Sequence, residues 1–220
     1  MDDLVHELSV YLLERLKERV SLPSSRLCVG ISGAPGAGKP ERREAVATIV
    51  PLDGWHLTRS TLETFPDPQL ARDRRGAHWT FDANGYVSFM ERLRKSISTE
   101  DVMAPSFSHS LKDPVEDDIV IRPHHRIVII EGLYVFLNIE PWSTAGSLLN
   151  ERWFITIDAD VGKERLCKRH VETGVAANWE EALWRAENND IPNGVFIQEH
   201  MLPPTRVIKN IDDPNLVSDT

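Results

Sequence analysis

Leu4, Leu8, Leu12, Leu16 and Val20 recur every four positions, with Val5, Tyr11 and Leu13 alongside. A helical period places them on one stripe, so residues 1–20 predict an amphipathic helix packed on its own domain. Asp2, Asp3, Glu7, Glu14, Arg15, Lys17, Glu18 and Arg19 are too many charges for a membrane span or a signal peptide's apolar stretch. The pattern then changes to short continuous apolar runs. Leu27 to Ile31, Val46 to Leu52, Ile127 to Ile130 and Phe154 to Ile157 each read as a strand buried on both faces, and Val207-Ile208 as a weak final one. Ile119 to Ile121 is a short strand candidate. Helical periodicity returns at Tyr86 to Arg94, at about Val161 to Glu172 and at about Asn178 to Asn188. Residues 58–82 are polar, a long loop or short helices. Apolar strands separated by helices predict an α/β protein: a mostly parallel sheet flanked by helices.

The 220 residues, 41% hydrophobic and 27% charged, suffice for one domain with a sizeable core and exclude a disordered tail or a disulfide-dense mini-protein. A net charge of −9 argues against a nucleic-acid binder, which needs a basic face. Cys28 and Cys167 are two lone thiols, with no zinc-site spacing, and point to a reducing compartment. A cytoplasmic location is the default expectation, with neither a membrane nor nucleic acid as partner. Residues 1–25 form the helical extension, 26–212 a single domain and 213–220 a tail.

The strand at Leu27 runs into Gly33-x-x-x-x-Gly38-Lys39. Glycines let the backbone curl so that its N–H groups converge on phosphate oxygens, and the lysine reaches the outer phosphates. A glycine-rich loop ending in Gly-Lys directly after an apolar strand is a strong nucleotide signal. The next position should carry the Ser or Thr hydroxyl that binds Mg²⁺. It is Pro40, which lacks both the hydroxyl and the backbone N–H. Proline is tolerated in a first helical turn, so the fault is chemical. The connection is also short. Only Pro40 to Val46 stand between Lys39 and Ala47. Seven helical residues span about 10 Å, against about 17–20 Å for a typical strand. An extended segment bridges that gap; a covering helix does not. The sheet face near Ile49 and Ile129 is therefore expected to be partly uncovered.

Other candidates stand at strand ends, where α/β sheets gather their ligands. Asp53 follows the second strand. Alone, Asp53-Gly54 is a turn; with Trp55-His56 after it, it becomes a candidate base. Glu131 ends the strongest strand and is a candidate Mg²⁺ ligand. Arg165 and Arg169 are four apart and share a helix face, and Lys168 adds to this basic cluster. His124-His125 reads as a loop pair. The six tryptophans read as packing residues.

Eight blocks in order resemble the P-loop small-molecule kinases of the uridine kinase, phosphoribulokinase and pantothenate kinase superfamily, most nearly the fructokinase-like and nucleoside-kinase-like subgroup. They are Gly-Ile-Ser-Gly-Ala-Pro-Gly-Ala-Gly-Lys at 30–39, Pro-Leu-Asp-Gly-Trp-His-Leu at 51–57, Arg-Arg-Gly-Ala-His-Trp-Thr-Phe-Asp at 74–82 and Ser-Phe-Ser-His at 106–109. Asp-Pro-Val at 113–115, Ile-Ile-Glu-Gly-Leu-Tyr at 129–134, Arg-x-x-x-Arg-His at 165–170 and Asn-Asp-x-x-Asn at 189–193 complete the set. The departure is the Pro40 region, where the family carries Ser/Thr and a full helix. The resemblance implies a P-loop NTPase fold, with a five-stranded sheet and a lid, using ATP and Mg²⁺. It places Gly33, Ala34, Pro35, Gly36, Ala37, Gly38 and Lys39 on the phosphates, and Arg185 and Asn193, with Asn189, near the nucleotide base or the lid hinge. It makes Asp53 the base, Glu131 the metal ligand, Arg165 and Arg169 the closing lid, and His56, Arg74, Arg75 and His109 the grip on the acceptor.

The expected activity is ATP-dependent phosphoryl transfer to a hydroxyl of a small metabolite: a sugar, a nucleoside or a pantothenate-like compound. The alternatives are a catalytically impaired P-loop protein, favoured by Pro40 and the short crossover, and an NTP hydrolase. The missing stretch reads as an internal segment absent from this chain. The sequence leaves the acceptor and the oligomeric state open.

Overall fold

The computed structural model describes residues 2–18, 26–33, 46–95 and 100–210. The chain opens with helix α1 (Asp2–Lys17), followed by strands β1 (Leu27–Gly33) and β2 (Ala47–Pro51). A 3-10 turn, Leu52–Trp55, leads into short helices α2 (Arg59–Leu62) and α3 (Pro68–Asp73), then α4 (Ala83–Lys95). Strands β3 (Val102–Ser108), β4 (Asp113–Ile121) and β5 (Ile127–Glu131) come next. They are followed by α5 (Trp142–Ser147), β6 (Glu151–Thr156) and α6 (Ala159–Glu172). Helix α7 (Trp179–Arg185) passes through a π-turn, Ala186–Asp190, into α8 (Ile191–His200), and β7 (Arg206–Lys209) closes the fold.

The central sheet is wholly parallel, in the order β2-β5-β1-β6-β7. Parallel strands buried on both faces need apolar residues at nearly every position, which the runs at Leu27 and Ile127 supply. One face carries Cys28, Val50, Val128, Ile130 and Phe154 against α4, α5 and the aromatic group Trp55, Tyr86, Phe89 and Trp142. The other face carries Leu27, Val29, Ile127 and Trp153 under α1, whose Leu12 is buried and whose Leu8, Tyr11 and Leu16 pack beside it. Val5 and Leu13, flanking the predicted stripe, are exposed. Ile49 and Ile129, expected to be partly uncovered, are half-buried.

Three features differ from the sequence expectation. The strand read at Ile119–Ile121 is the end of nine-residue β4, paired antiparallel with β3 in a separate two-stranded sheet. Pro105 hid β3. It has no N–H to give the ladder, and the register shifts between Ala104 and Ser106 around it. The helix read at 178–188 continues, through the π-turn, to His200. Pro192 stands in the first turn of α8, directly after the π-turn. Helix α5 also carries no pattern of its own. The predicted tail, 213–220, lies outside the described residues.

Candidate active site

The sheet gathers its candidate residues by register. Ile31 of β1 and Pro51 of β2 both stand opposite Glu131 of β5, so Glu131 lies between the two strands that lead into the phosphate loop and the Asp53 turn. The backbone at Gly132 has φ of +154°, and a Cβ there would lie 2.4 Å from the Leu52 Cβ. Only glycine lets β5 end this tightly against the turn that carries Asp53. The Gly132 N–H donates to the Ile31 carbonyl at 3.0 Å. Gly33 closes β1 against Ile155, and a Cβ there would lie 2.9 Å from both the Ile155 Cβ and its carbonyl oxygen. Ala34, Pro35, Gly36, Ala37, Gly38, Lys39 and Pro40 lie outside the described residues.

Asp53 presents its carboxylate to solvent from the 3-10 turn, with a side chain 56% exposed. His56 folds back under it. Its Nδ1 lies 2.9 Å from the Asp53 carbonyl oxygen, and its ring packs on Phe81 and Phe107 at 4.0 and 5.1 Å between centroids. Burial lowers the His56 pKa, and the neighbouring Asp53 carboxylate offsets only part of that.

Arg75 fills the space beyond His56. Its guanidinium donates to the Lys112 and Leu57 carbonyls at 2.7 and 3.0 Å and to Asp113 at 3.0 Å, and lies 5.5 Å from the Phe107 ring centroid. Asp113 also accepts from the Arg59 backbone N–H and guanidinium. Burial pushes the Asp113 carboxyl up, but the hydrogen bonds from Arg59 and Arg75 outweigh it and hold the group below its ordinary range. His109 is exposed in the β3–β4 turn, with its ring 5.5 Å from Phe107. Arg74 turns the other way and donates to the Asn188 carbonyl at 3.2 Å. The structure thus brings Asp53, His56 and Arg75 together, with His109 at the rim and Arg74 apart. Asp113, Phe81 and Phe107 have no role in the sequence reading. Asp113 was legible only as part of the Asp-Pro-Val block.

Arg165 and Arg169 both lie on α6. Arg165 donates to Asn210 Oδ1 at 3.1 Å, and Arg169 is exposed. Lys168 faces solvent 3.8 Å from Glu172 on the same helix, the geometry of a surface pair. Arg185 lies 3.3 Å from Glu181 one turn earlier. Asn193 is buried and donates to Asn189 Oδ1 at 3.1 Å, and Asn189 Nδ2 donates to the Arg75 carbonyl at 3.0 Å. The His124 and His125 rings stack edge-on, and His125 Nδ1 accepts the Arg122 N–H at 3.0 Å, as a loop pair does. Among the described residues there is no cluster of three or more metal-ligating side chains, and no helix long and apolar enough to cross a membrane.

A wholly parallel five-stranded sheet with a glycine-rich sequence after its central strand, and carboxylates at the neighbouring strand ends, defines a P-loop kinase fold. Solved structures share it. A fructose transport system kinase-like protein of Silicibacter sp. TM1040 superposes with a TM-score of 0.76 at 28% identity, covering 91% of this chain and 97% of that one. YFH7 of Saccharomyces cerevisiae superposes at 0.80 with 24% identity, over 94% and 99%. A uridine kinase-like protein of Schizosaccharomyces pombe is 37% identical over 198 residues, 84% of each chain. An ATP-dependent kinase-like protein of Aspergillus versicolor is 42% identical over 159 residues, 71% of this chain and 92% of its own. No family model matches the chain. The chain belongs to the family of these uridine kinase-like, ATP-dependent P-loop kinases, and membership implies ATP use and a small-molecule substrate. The alignment with the Schizosaccharomyces protein runs over 198 positions yet draws on only 84% of the 220 residues. That relative therefore carries residues within the aligned stretch that this chain lacks.

Proposed function

We propose that the lineage activity is phosphoryl transfer from ATP to a hydroxyl of a small metabolite, with Asp53 as the base that orients and deprotonates that hydroxyl. The observation that carries this is the register that sets Glu131 between Ile31 and Pro51, beside the turn holding Asp53. Gly33 to Lys39 would hold the phosphates, with Arg185 and Asn193 on the nucleotide side. Arg165 and Arg169 would close over the transferring group, where guanidinium charge counts most. His56, Arg75 and His109 would shape the acceptor side, with Arg74 supporting the loop. The carboxylate of Glu131, an oxygen ligand at a strand end, suits Mg²⁺. When bound, that ion would neutralise charge on the phosphates. A sugar, a nucleoside and a pantothenate-like alcohol are the acceptor classes to test. The residues around His56 and Arg75 favour transfer to such an acceptor over hydrolysis.

In the 220-residue chain, we infer that this activity is impaired. Pro40 supplies neither the hydroxyl nor the N–H that the phosphate site needs, and we assign the residues absent relative to the Schizosaccharomyces protein to the short crossover after Lys39. A phosphoryl-transfer screen over metabolite hydroxyls, run on this chain and on a form with the segment restored, tests both readings. Transfer is expected only in the restored form and should be lost in its Asp53→Asn variant. Transfer that survives Asp53→Asn would rule out the assigned base. Equal rates in the two forms would rule out impairment.

A further inference from the structure

Residues Glu187 to Asp190 divide their contacts between two distant parts of the fold. Glu187 and Asp190 reach α6: Glu187 Oε1 is 2.7 Å from Lys163 Nζ, and Asp190 Oδ2 is 3.0 Å from His170 Nε2. Asn188 and Asn189, between them, reach the loop before α4. The Asn188 carbonyl accepts from Arg74, and Asn189 Nδ2 donates to the Arg75 carbonyl at 3.0 Å. The loop is set for that contact. Gly76 has φ of +110°, and a Cβ there would meet Asn189 Nδ2 first, at 3.7 Å. The Gly76 carbonyl accepts from the Tyr134 hydroxyl at 3.0 Å, so the loop is clamped from two sides.

Glu187 and Asp190, three apart, share one helix face, and Asn188 and Asn189 lie on the next. The wider turn at Ala186–Asp190 interrupts the continuous helix from α7 to α8 where the two sets of contacts meet. Such insertions are uncommon and concentrate at functional positions. The contacts are also unequal in weight. Lys163–Glu187 is a surface pair, worth little. His170–Asp190 is largely buried, and so is Asn193, which holds Asn189 in place from one turn further on.

We propose that this π-turn is a joint coupling α6, which carries Arg165 and Arg169, to the loop that carries Arg75, with Asn189 as a positioning residue for that loop. The functional meaning rests on the kinase reading above: movement of the phosphate-side helix would be felt at the acceptor-side arginine. The joint itself is a property of the fold and can be tested without turnover.

The test is native-state hydrogen exchange on the full chain, without nucleotide or acceptor. Asn189→Ala is expected to speed exchange about fivefold at 74–77, the effect of one lost hydrogen bond. It should also speed exchange at least about twofold within α6, to which Asn189 makes no hydrogen bond. His170→Gln should act in the reverse direction, on α6 and also on 74–77. The double variant should accelerate exchange by less than the product of the two. Acceleration confined to the element each residue touches, or a double effect equal to the product, would overturn the proposal. If Asn189→Ala does not fold, Asn189→Asp keeps the volume, loses the donor and is read the same way. A segment-restored form inert in the acceptor screen, with reciprocal exchange in the chain, would remove the kinase reading and leave the joint standing.

Discussion

His56 Nδ1 lies 2.9 Å from the carbonyl oxygen of Asp53 and 3.9 Å from its carboxylate Oδ1. The imidazole therefore braces the 3-10 turn that carries the candidate base, while Phe81 and Phe107 enclose it. Burial holds its pKa below the ordinary 6.5, so the folded protein binds a proton there less readily than the unfolded chain. Stability from this site is fully present above the unfolded value. It falls with pH from about 6.5 down to the depressed folded value. Melting curves between pH 7.5 and pH 5 are expected to show a loss of stability that shrinks in a His56→Phe variant. A residual loss should persist, because burial also lowers His78 and His125. Identical pH dependence in the two proteins would rule out His56 as a contributor.

The central sheet was readable because parallel strands covered on both faces are apolar at almost every position, as Leu27 to Ile31 and Ile127 to Ile130 are. Asp53 and Glu131 were readable for the related reason that each is the first charge after such a run. What stayed hidden depends on tertiary placement. Pro105 disguised β3, so nothing in the sequence placed Asp113 beside Arg75 or Phe107 on His56. Asn189 sits within a legible block, yet its bond to the Arg75 carbonyl spans 114 positions. No local pattern encodes that contact.

Glu151 anchors α1 to the sheet. Its side chain, 5% exposed, accepts from Tyr11 at 3.0 Å, Arg15 at 3.2 Å and Thr205 at 2.7 Å. Burial pushes its carboxyl up, but the bonds from Thr205, Tyr11 and Arg15 outweigh it and hold the group below its ordinary 4.5. Its stabilisation is present above that value and lost as pH falls through the lower folded one. Glu151→Ala removes the acceptor that Tyr11, Arg15 and Thr205 share, while Thr205 keeps the Arg152 carbonyl and Arg15 keeps Glu18, and is expected to cost about 2–4 kcal/mol in urea unfolding; Glu151→Gln, which keeps an acceptor oxygen, should cost about 1 kcal/mol. Equal costs would show that the network contributes packing alone.

Gly54 lets the β3–β4 hairpin lie on the Asp53 turn. A Cβ at this position would stand 2.2 Å from the Pro105 carbonyl oxygen, which is backbone and cannot rotate away. Gly54→Ala must therefore push the hairpin outward, at about 1–3 kcal/mol in urea unfolding. Phe107 and Asp113 ride on that hairpin, so the variant should also expose the His56 ring. The His56 imidazole is then expected to titrate closer to its ordinary value by NMR. An unchanged urea midpoint and an unchanged titration would show that the hairpin does not set the environment of His56.

Pro40 makes the sharpest chemical prediction, because two groups are lost at one position. A serine there would return a hydroxyl oxygen as a ligand for Mg²⁺ and an N–H for phosphate, the hydrogen bond alone worth about 1 kcal/mol or more. By calorimetric titration the chain should bind ATP weakly with Mg²⁺ present, and Pro40→Ser should tighten binding about tenfold or more. Restoring the missing segment should tighten it further, since a helix following the loop adds its N-terminal dipole to the phosphate site. The natural protein should exceed the 25.0 kDa of this chain by intact mass. Tight, Mg²⁺-dependent binding by the chain as it stands would overturn the assignment of Pro40 as the defect. A natural mass of 25.0 kDa would remove the missing segment and leave Pro40 as the whole of the impairment.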